Sequence, residues 1–162
     1  MPTLLRLLPS LTDRDLVGTV ASHLRRSWAR PAAFPELLKA FIRFALPGTN
    51  IGWAIGDALA CVADYRRVPE VIEVCSDRRF GTSREMVVDA MWRFKKNPEV
   101  APLLESLLYD ATVSGHAAGA LRRTIGDEAA LPLMLAARNA ADDRRAQRGL
   151  DRNILKASRS PT

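Results

Sequence analysis

Cysteine and histidine are scarce in this chain, with two of each in 162 residues. Cys61 and Cys75 stand fourteen residues apart on apolar positions, which is neither a disulfide framework nor a metal-ligand spacing. They are expected to be small buried hydrophobes. His23 and His116 are distant from each other and have no Cys or carboxylate companions at ligand spacing, so no metal site is expected. Long apolar runs are missing too, since none approaches the roughly 18 to 20 residues that a membrane span needs. The Leu-rich residues 1–11 are interrupted by Arg6 and Pro9 and have neither a basic leader nor a small-residue cleavage site, so no signal peptide and a cytoplasmic location are expected. Period-two alternation of useful length is absent, which excludes a sheet from the expected fold. There is no Ser, His and Asp arrangement with positional logic and no Gly-rich phosphate loop, and the carboxylates are spread along the chain. The expected protein is therefore not an enzyme and takes no small-molecule cofactor.

What is present is a globular balance and a repeat. At 48% hydrophobic and 26% charged residues, the chain is long enough to bury a core as one domain or one short array. Ala58-Leu59 to Val71-Ile72, Ala90-Met91 to Leu103-Leu104 and Ala120-Leu121 to Leu133-Met134 share one ungapped pattern, an apolar pair thirteen residues after an Ala-Leu-like pair. The equivalent alanines are 32 and then 30 positions apart. A period of that size with helical spacing marks stacked helix pairs, in which no unit buries its apolar face alone.

The punctuation agrees. Pro35-Glu36, Pro69-Glu70 and Pro98-Glu99 each precede an apolar run, and Asp127-Glu128 holds the equivalent place in the last unit. Proline at a first helical turn gives up an amide that had no partner, and the carboxylate sits against the positive end of the helix dipole. Upstream of each start lies a helical stretch with small residues on one face, such as Ala54, Ala58 and Ala117, Ala118. Helices are expected at residues 12–28, 35–46, 50–64, 69–77, 83–96, 98–109, 113–124 and 127–140, with a ninth at 142–157 capped by Asp142-Asp143. Loops are expected at 47–50 and 80–83, and residues 158–162 should fray. The expected architecture is all-α, a right-handed α-α superhelix (solenoid) of four stacked helix pairs, repeats 12–46, 50–77, 83–109 and 113–140, plus a C-terminal capping helix. These form one domain over residues 1–157.

The register resembles the HEAT-like repeats of bacterial proteins, including the short type first described in phycobilin lyases. That family's pattern is an Asp, two residues, Val-Arg, two residues, Ala-Ala, one residue and Ala-Leu. It is met by Asp110, Val113, Ala117, Ala118, Ala120 and Leu121, with Ser114 where the family has Arg. In the preceding unit Arg84 holds that place, followed in register by Val87, Ala90 and Met91, while Asp77 lies too far upstream. The resemblance covers residues 49–140 well and 12–46 loosely. It implies a structural role for Asp110 and Arg84, tying one repeat to the next, and it implies no particular activity.

Most charged and aromatic residues have a structural account. Glu36, Glu70, Glu99 and Glu128 belong to helix starts. Trp28, Trp53 and Trp92 fall on first helices and are expected to pack in the core or between repeats. The net charge of +6 and a sequence pI near 10.0 suit an anionic partner. Four basic pairs, Arg25-Arg26, Arg66-Arg67, Lys95-Lys96 and Arg122-Arg123, end first helices, where the dipole favours cations. Stacking would bring them to one rim able to meet phosphates or an acidic partner. Six basic residues in the last 19 positions are expected to be a solvated face.

The function expected is a non-catalytic protein-protein interaction scaffold. Its second helices would line a concave face exposing Lys39, Glu73 and Glu105, with Asp77 and Arg138 near the ends, on which a protein or peptide docks. The alternative is nucleic-acid binding along the basic rim, and remotely an enzyme similar to HEAT-like DNA glycosylases that would recruit Trp53, Asp57 and Trp92. A bilin lyase role has no chromophore-binding residue to support it.

Overall fold

The structure is a computed structural model that describes residues 2–30, 32–45 and 50–159. The expected loop residues 47–49 and the last three residues of the tail lie outside that set. The regular structure among the described residues is all helical, with ten α-helices, short 3₁₀ turns and no strand. No helix among them is long and apolar enough to cross a membrane. The chain divides into two compact units, Met1–Val87 and Val88–Thr162.

Unit 1 contains α1 (Pro2–Leu7), α2 (Arg14–Leu24), α3 (Phe34–Phe44), α4 (Asn50–Val62) and α5 (Val68–Ser76), and ends in the first residues of α6 (Glu85–Ala90). The Leu-rich opening is thus itself a short helix. Asp13 starts α2, its side chain accepting from the backbone N–H of Asp15 and Leu16, both at 3.0 Å. Pro35 and Pro69 stand in the first turns of α3 and α5, as their missing amides predict. α4 is the centre of the unit and packs on α2, α3 and the 3₁₀ stretch Arg78–Arg84. Ile55, Ala58, Leu59, Ala60 and Val62 are buried along it, against Val17, Ala21, Leu24, Leu37 and Phe41 from its neighbours. Each leucine-sized side chain so buried stabilises by about 2 kcal/mol. Phe41 meets the edge of Phe80 with ring centres 5.0 Å apart.

In unit 2, α6 stops at Ala90 and passes into the 3₁₀ turn Met91–Phe94, so the single helix expected over 83–96 is divided. Then follow α7 (Val100–Leu107), α8 (Ser114–Ile125), α9 (Asp127–Ala140) and α10 (Arg144–Ala157). Pro98 and Glu99 precede α7 rather than opening it. Gly126, at φ 89°, lets one residue separate α8 from α9, a backbone state that side-chain-bearing residues rarely adopt. Arg122 closes this corner, donating from Nε to Asp127 Oδ1 at 2.7 Å. α8 packs on α7, α9 and α10.

α10 crosses α8 so closely that a Cβ added at Gly149 would stand 2.9 Å from the Gly115 Cα. Asn153 locks the crossing, donating from Nδ2 to the carbonyls of Gly115 and Gly149 at 2.9 Å each.

Candidate functional site

The eight cations of the four basic pairs have unequal fates. In unit 1, Arg25 is ion-paired with Asp57 on α4, and that hydrogen-bonded carboxylate holds the guanidinium above its ordinary pKa. Arg67 pairs with Glu70 at 2.9 Å and lies over the Phe34 ring. In unit 2, Arg122 is held by Asp127 and Arg123 by Asp89. Arg26, Arg66, Lys95 and Lys96 are exposed and make no side-chain ion pair among the described residues. Half of the expected cationic ladder is therefore consumed by internal carboxylates.

The tryptophans depart from expectation. Trp28 is 58% exposed, Trp53 43% and Trp92 36%. The reason is helical phase. Trp92 follows the buried Met91, and one residue along the 3₁₀ turn that holds both swings the side chain about 120° away. Trp53 lies one turn before Asp57 on the outer edge of α4, and Trp28 sits in the 3₁₀ turn Ser27–Ala29 that rests against α4.

These residues fall into related groups, one in each unit. Asp57 and Asp89 each immediately precede their Ala-Leu-like pair, and each receives an arginine from a neighbouring segment beside exposed tryptophan. In unit 1 the Arg25 and Asp57 pair joins the segments that carry Trp28 and Trp53. In unit 2 the Arg123 guanidinium, held by Asp89, lies 5.3 Å from the centre of the Trp92 ring. Register alone accounts for the carboxylates, and the pairing was the part that spacing did not reveal.

On the expected concave face, Lys39, Glu73 and Glu105 are exposed, Lys39 donating to Glu36 at 2.9 Å. Arg79, hydrogen-bonded to Asp77, holds that carboxyl below its ordinary range. Arg138 pairs with Asp151 of α10 at 2.7 Å.

Arg84 and Asp110 are buried. Arg84 donates to the carbonyls of Cys75 at 2.6 Å and Gly81 at 3.1 Å, while Asp110 accepts from the Thr112 hydroxyl at 2.6 Å and amide at 3.0 Å. Burial pushes the Cys75 thiol up to about 12, with Arg84 pulling weakly the other way. No group of three or more His, Cys, Asp and Glu side chains suited to a metal occurs among the described residues.

Two surface features of unit 2 remain. A cleft of about 260 Å³ lies between the ends of α7 and α9 and the start of α10, lined by alanines with Tyr109, Asp142 and Asp143. The other is the outer face of α10. Ala146, Gly149, Leu150, Asn153 and Ala157 are buried, while Arg144, Arg145, Arg148, Arg152, Lys156 and the following Arg159 are all exposed. The four-residue steps from Arg144 to Arg148 to Arg152 were the sequence signal for this face.

No family model matches the chain, and neither a curated protein nor a solved structure matches it. The likeness to HEAT-like repeats rests on the register of the sequence alone.

Proposed function

We propose that the chain is a non-catalytic protein-interaction module built on a short HEAT-like array, with the Trp28 and Trp53 surface of unit 1 as its docking patch. The observation that carries this reading is the exposure of two tryptophans, Trp28 three residues after Arg25 and Trp53 one turn before Asp57, on segments that this ion pair joins. Tryptophan and arginine are the residue types that contribute most to protein interfaces, and a fixed ion pair between them spares the cost of ordering the patch on binding. Arg26, two residues before Trp28 and without an ion pair among the described residues, selects for acid, so the partner is a peptide segment with apolar anchors and a neighbouring Asp or Glu. The rim version of nucleic-acid binding is disfavoured, because Arg25, Arg67, Arg122 and Arg123 already have carboxylate partners.

The test is selection from a random displayed-peptide library, followed by affinity measurement with Trp28→Ala, Trp53→Ala and the double variant. Selected peptides should carry an aromatic or aliphatic residue near an acidic one, and the double variant should bind them about 30-fold more weakly, the scale of a two-residue anchor. Peptides that bind the double variant as well as the parent chain, or a selection that yields none, refute the assignment.

A further inference from the structure

Six of the 24 basic residues and one of the 18 acidic residues fall within residues 144–159, so this one segment carries +5 of the chain's formal +6. At 100° per residue the five of these cations that lie on α10, from Arg144 to Lys156, occupy an arc of about 120° on one side of it, and Arg159 follows the helix end. The opposite side, through Ala146, Gly149, Leu150 and Asn153, is buried against the rest of unit 2. The single acid on the segment, Asp151, is engaged by Arg138 of α9, so it does not neutralise the stripe. Arg144, Arg148, Arg152 and Arg159 are exposed and make no ion pair among the described residues.

We propose that this face of α10 binds the phosphate backbone of duplex nucleic acid. Five of its six cations are arginines, whose planar guanidinium matches two phosphate oxygens at once. Successive arginines four residues apart are spaced by about 6 Å along the helix, which presents them as a row.

An anionic membrane is the other surface that a basic helix meets, but a membrane-bound helix inserts its apolar face. Here that face is occupied by the rest of unit 2, and Leu155 is the large apolar residue left exposed on the helix. Stacking on single-stranded bases would need aromatic side chains, and α10 has none. The site is independent of the peptide patch, which lies in unit 1.

The experiment uses the full chain and a mixed-sequence DNA duplex, with affinity read by fluorescence anisotropy as a function of salt. Four phosphate contacts give a slope of log K against log salt of about −4, or roughly a hundredfold loss between about 50 and 200 mM salt. Replacing Arg144, Arg148, Arg152 and Arg159 together with Gln should abolish binding at the low end of that range with helical circular dichroism unchanged. The matching four Arg→Lys changes should keep most of the slope.

Lys95→Gln with Lys96→Gln, which removes exposed cations elsewhere in the same unit, should leave affinity unchanged. The proposal is overturned by any of four results. These are no duplex binding at low salt, tighter binding to phosphatidylserine vesicles than to the duplex, equal binding to polyglutamate, and loss of duplex binding in the Lys95, Lys96 variant.

Discussion

Residues 84 and 114 stand thirty positions apart at the same place in the repeat register, and the two units fill that place in opposite ways. In unit 1 it holds a fully buried arginine whose guanidinium is hydrogen-bonded to the backbone carbonyls of Cys75 and Gly81. In unit 2 it holds Ser114, also buried, whose hydroxyl has no hydrogen-bond partner among the described residues. The connection explains the difference. Between α5 and α6 the chain passes through two short 3₁₀ turns over Arg78–Arg84 that are kinked at Gly81, leaving inward carbonyls that need a donor. Between α7 and α8 the path is shorter, and Asp110 secures it by accepting from the amide and hydroxyl of Thr112. Asp77 opens the unit 1 connection with the same bond to the amide two residues on, from Arg79 at 3.0 Å. The same register position is thus buried in both units while its chemistry follows the loop beside it.

The sharpest way to break this contrast is Arg84→Leu. Leaving two buried carbonyls unpaired should cost about 3 kcal/mol or more, read as a lowered midpoint in chemical denaturation. A loss below about 1 kcal/mol would show that the guanidinium bonds do not hold the connection. Next in size is Gly149→Ala in unit 2, where the new methyl meets the Gly115 backbone rather than a flexible side chain. Overpacking of this kind should cost about 1 to 3 kcal/mol and speed amide exchange in α10, an effect absent if the crossing is looser than described.

The Cys75 thiol gives a pH signature of the unit 1 junction. Its folded pKa is raised from 9.0 to about 12. The native state therefore keeps a proton that the unfolded chain loses, and the stabilisation is complete below 9.0 and is lost as pH rises toward about 12. The unfolding free energy should fall across that window by as much as about 1.4 kcal/mol per pH unit, read by chemical denaturation, and Cys75→Ala should flatten the slope. Parallel slopes for the two proteins would mean that the thiol is not sealed. The smallest effect belongs to Ser114→Ala, which removes an unsatisfied buried hydroxyl and should be neutral or stabilise by up to about 1 kcal/mol. A clear destabilisation would reveal a hydrogen bond at that hydroxyl.

Much of the helical order was legible because its signals are local. Prolines before apolar runs, alanine stripes and Asp caps each act within one or two turns, and α3, α4, α5, α8, α9 and α10 lie close to their expected places. The tryptophans were misjudged because residue type sets how much area there is to bury, while helical phase decides which side it faces. Trp92 is one residue past a core position, and the helix is also interrupted there at Ala90. Ion pairing was hidden for another reason. Arg25 and Asp57 are 32 residues apart, and Arg123 and Asp89 are 34 apart, so only packing brings them together. The face of α10 was half visible, since its spacing could be read from the sequence but the docking of its other side could not.

The glycine crossing of α8 and α10 has a thermodynamic consequence for anything that meets α10. An arginine-rich tail without fixed structure loses chain freedom when it binds, and its affinity is reduced by that ordering. In α10 the backbone has already been immobilised by the Gly115 contact and the Asn153 hydrogen bonds. Association then orders side chains alone and should show almost none of the negative heat-capacity change that accompanies folding upon binding. Calorimetry across temperature would see an almost flat enthalpy.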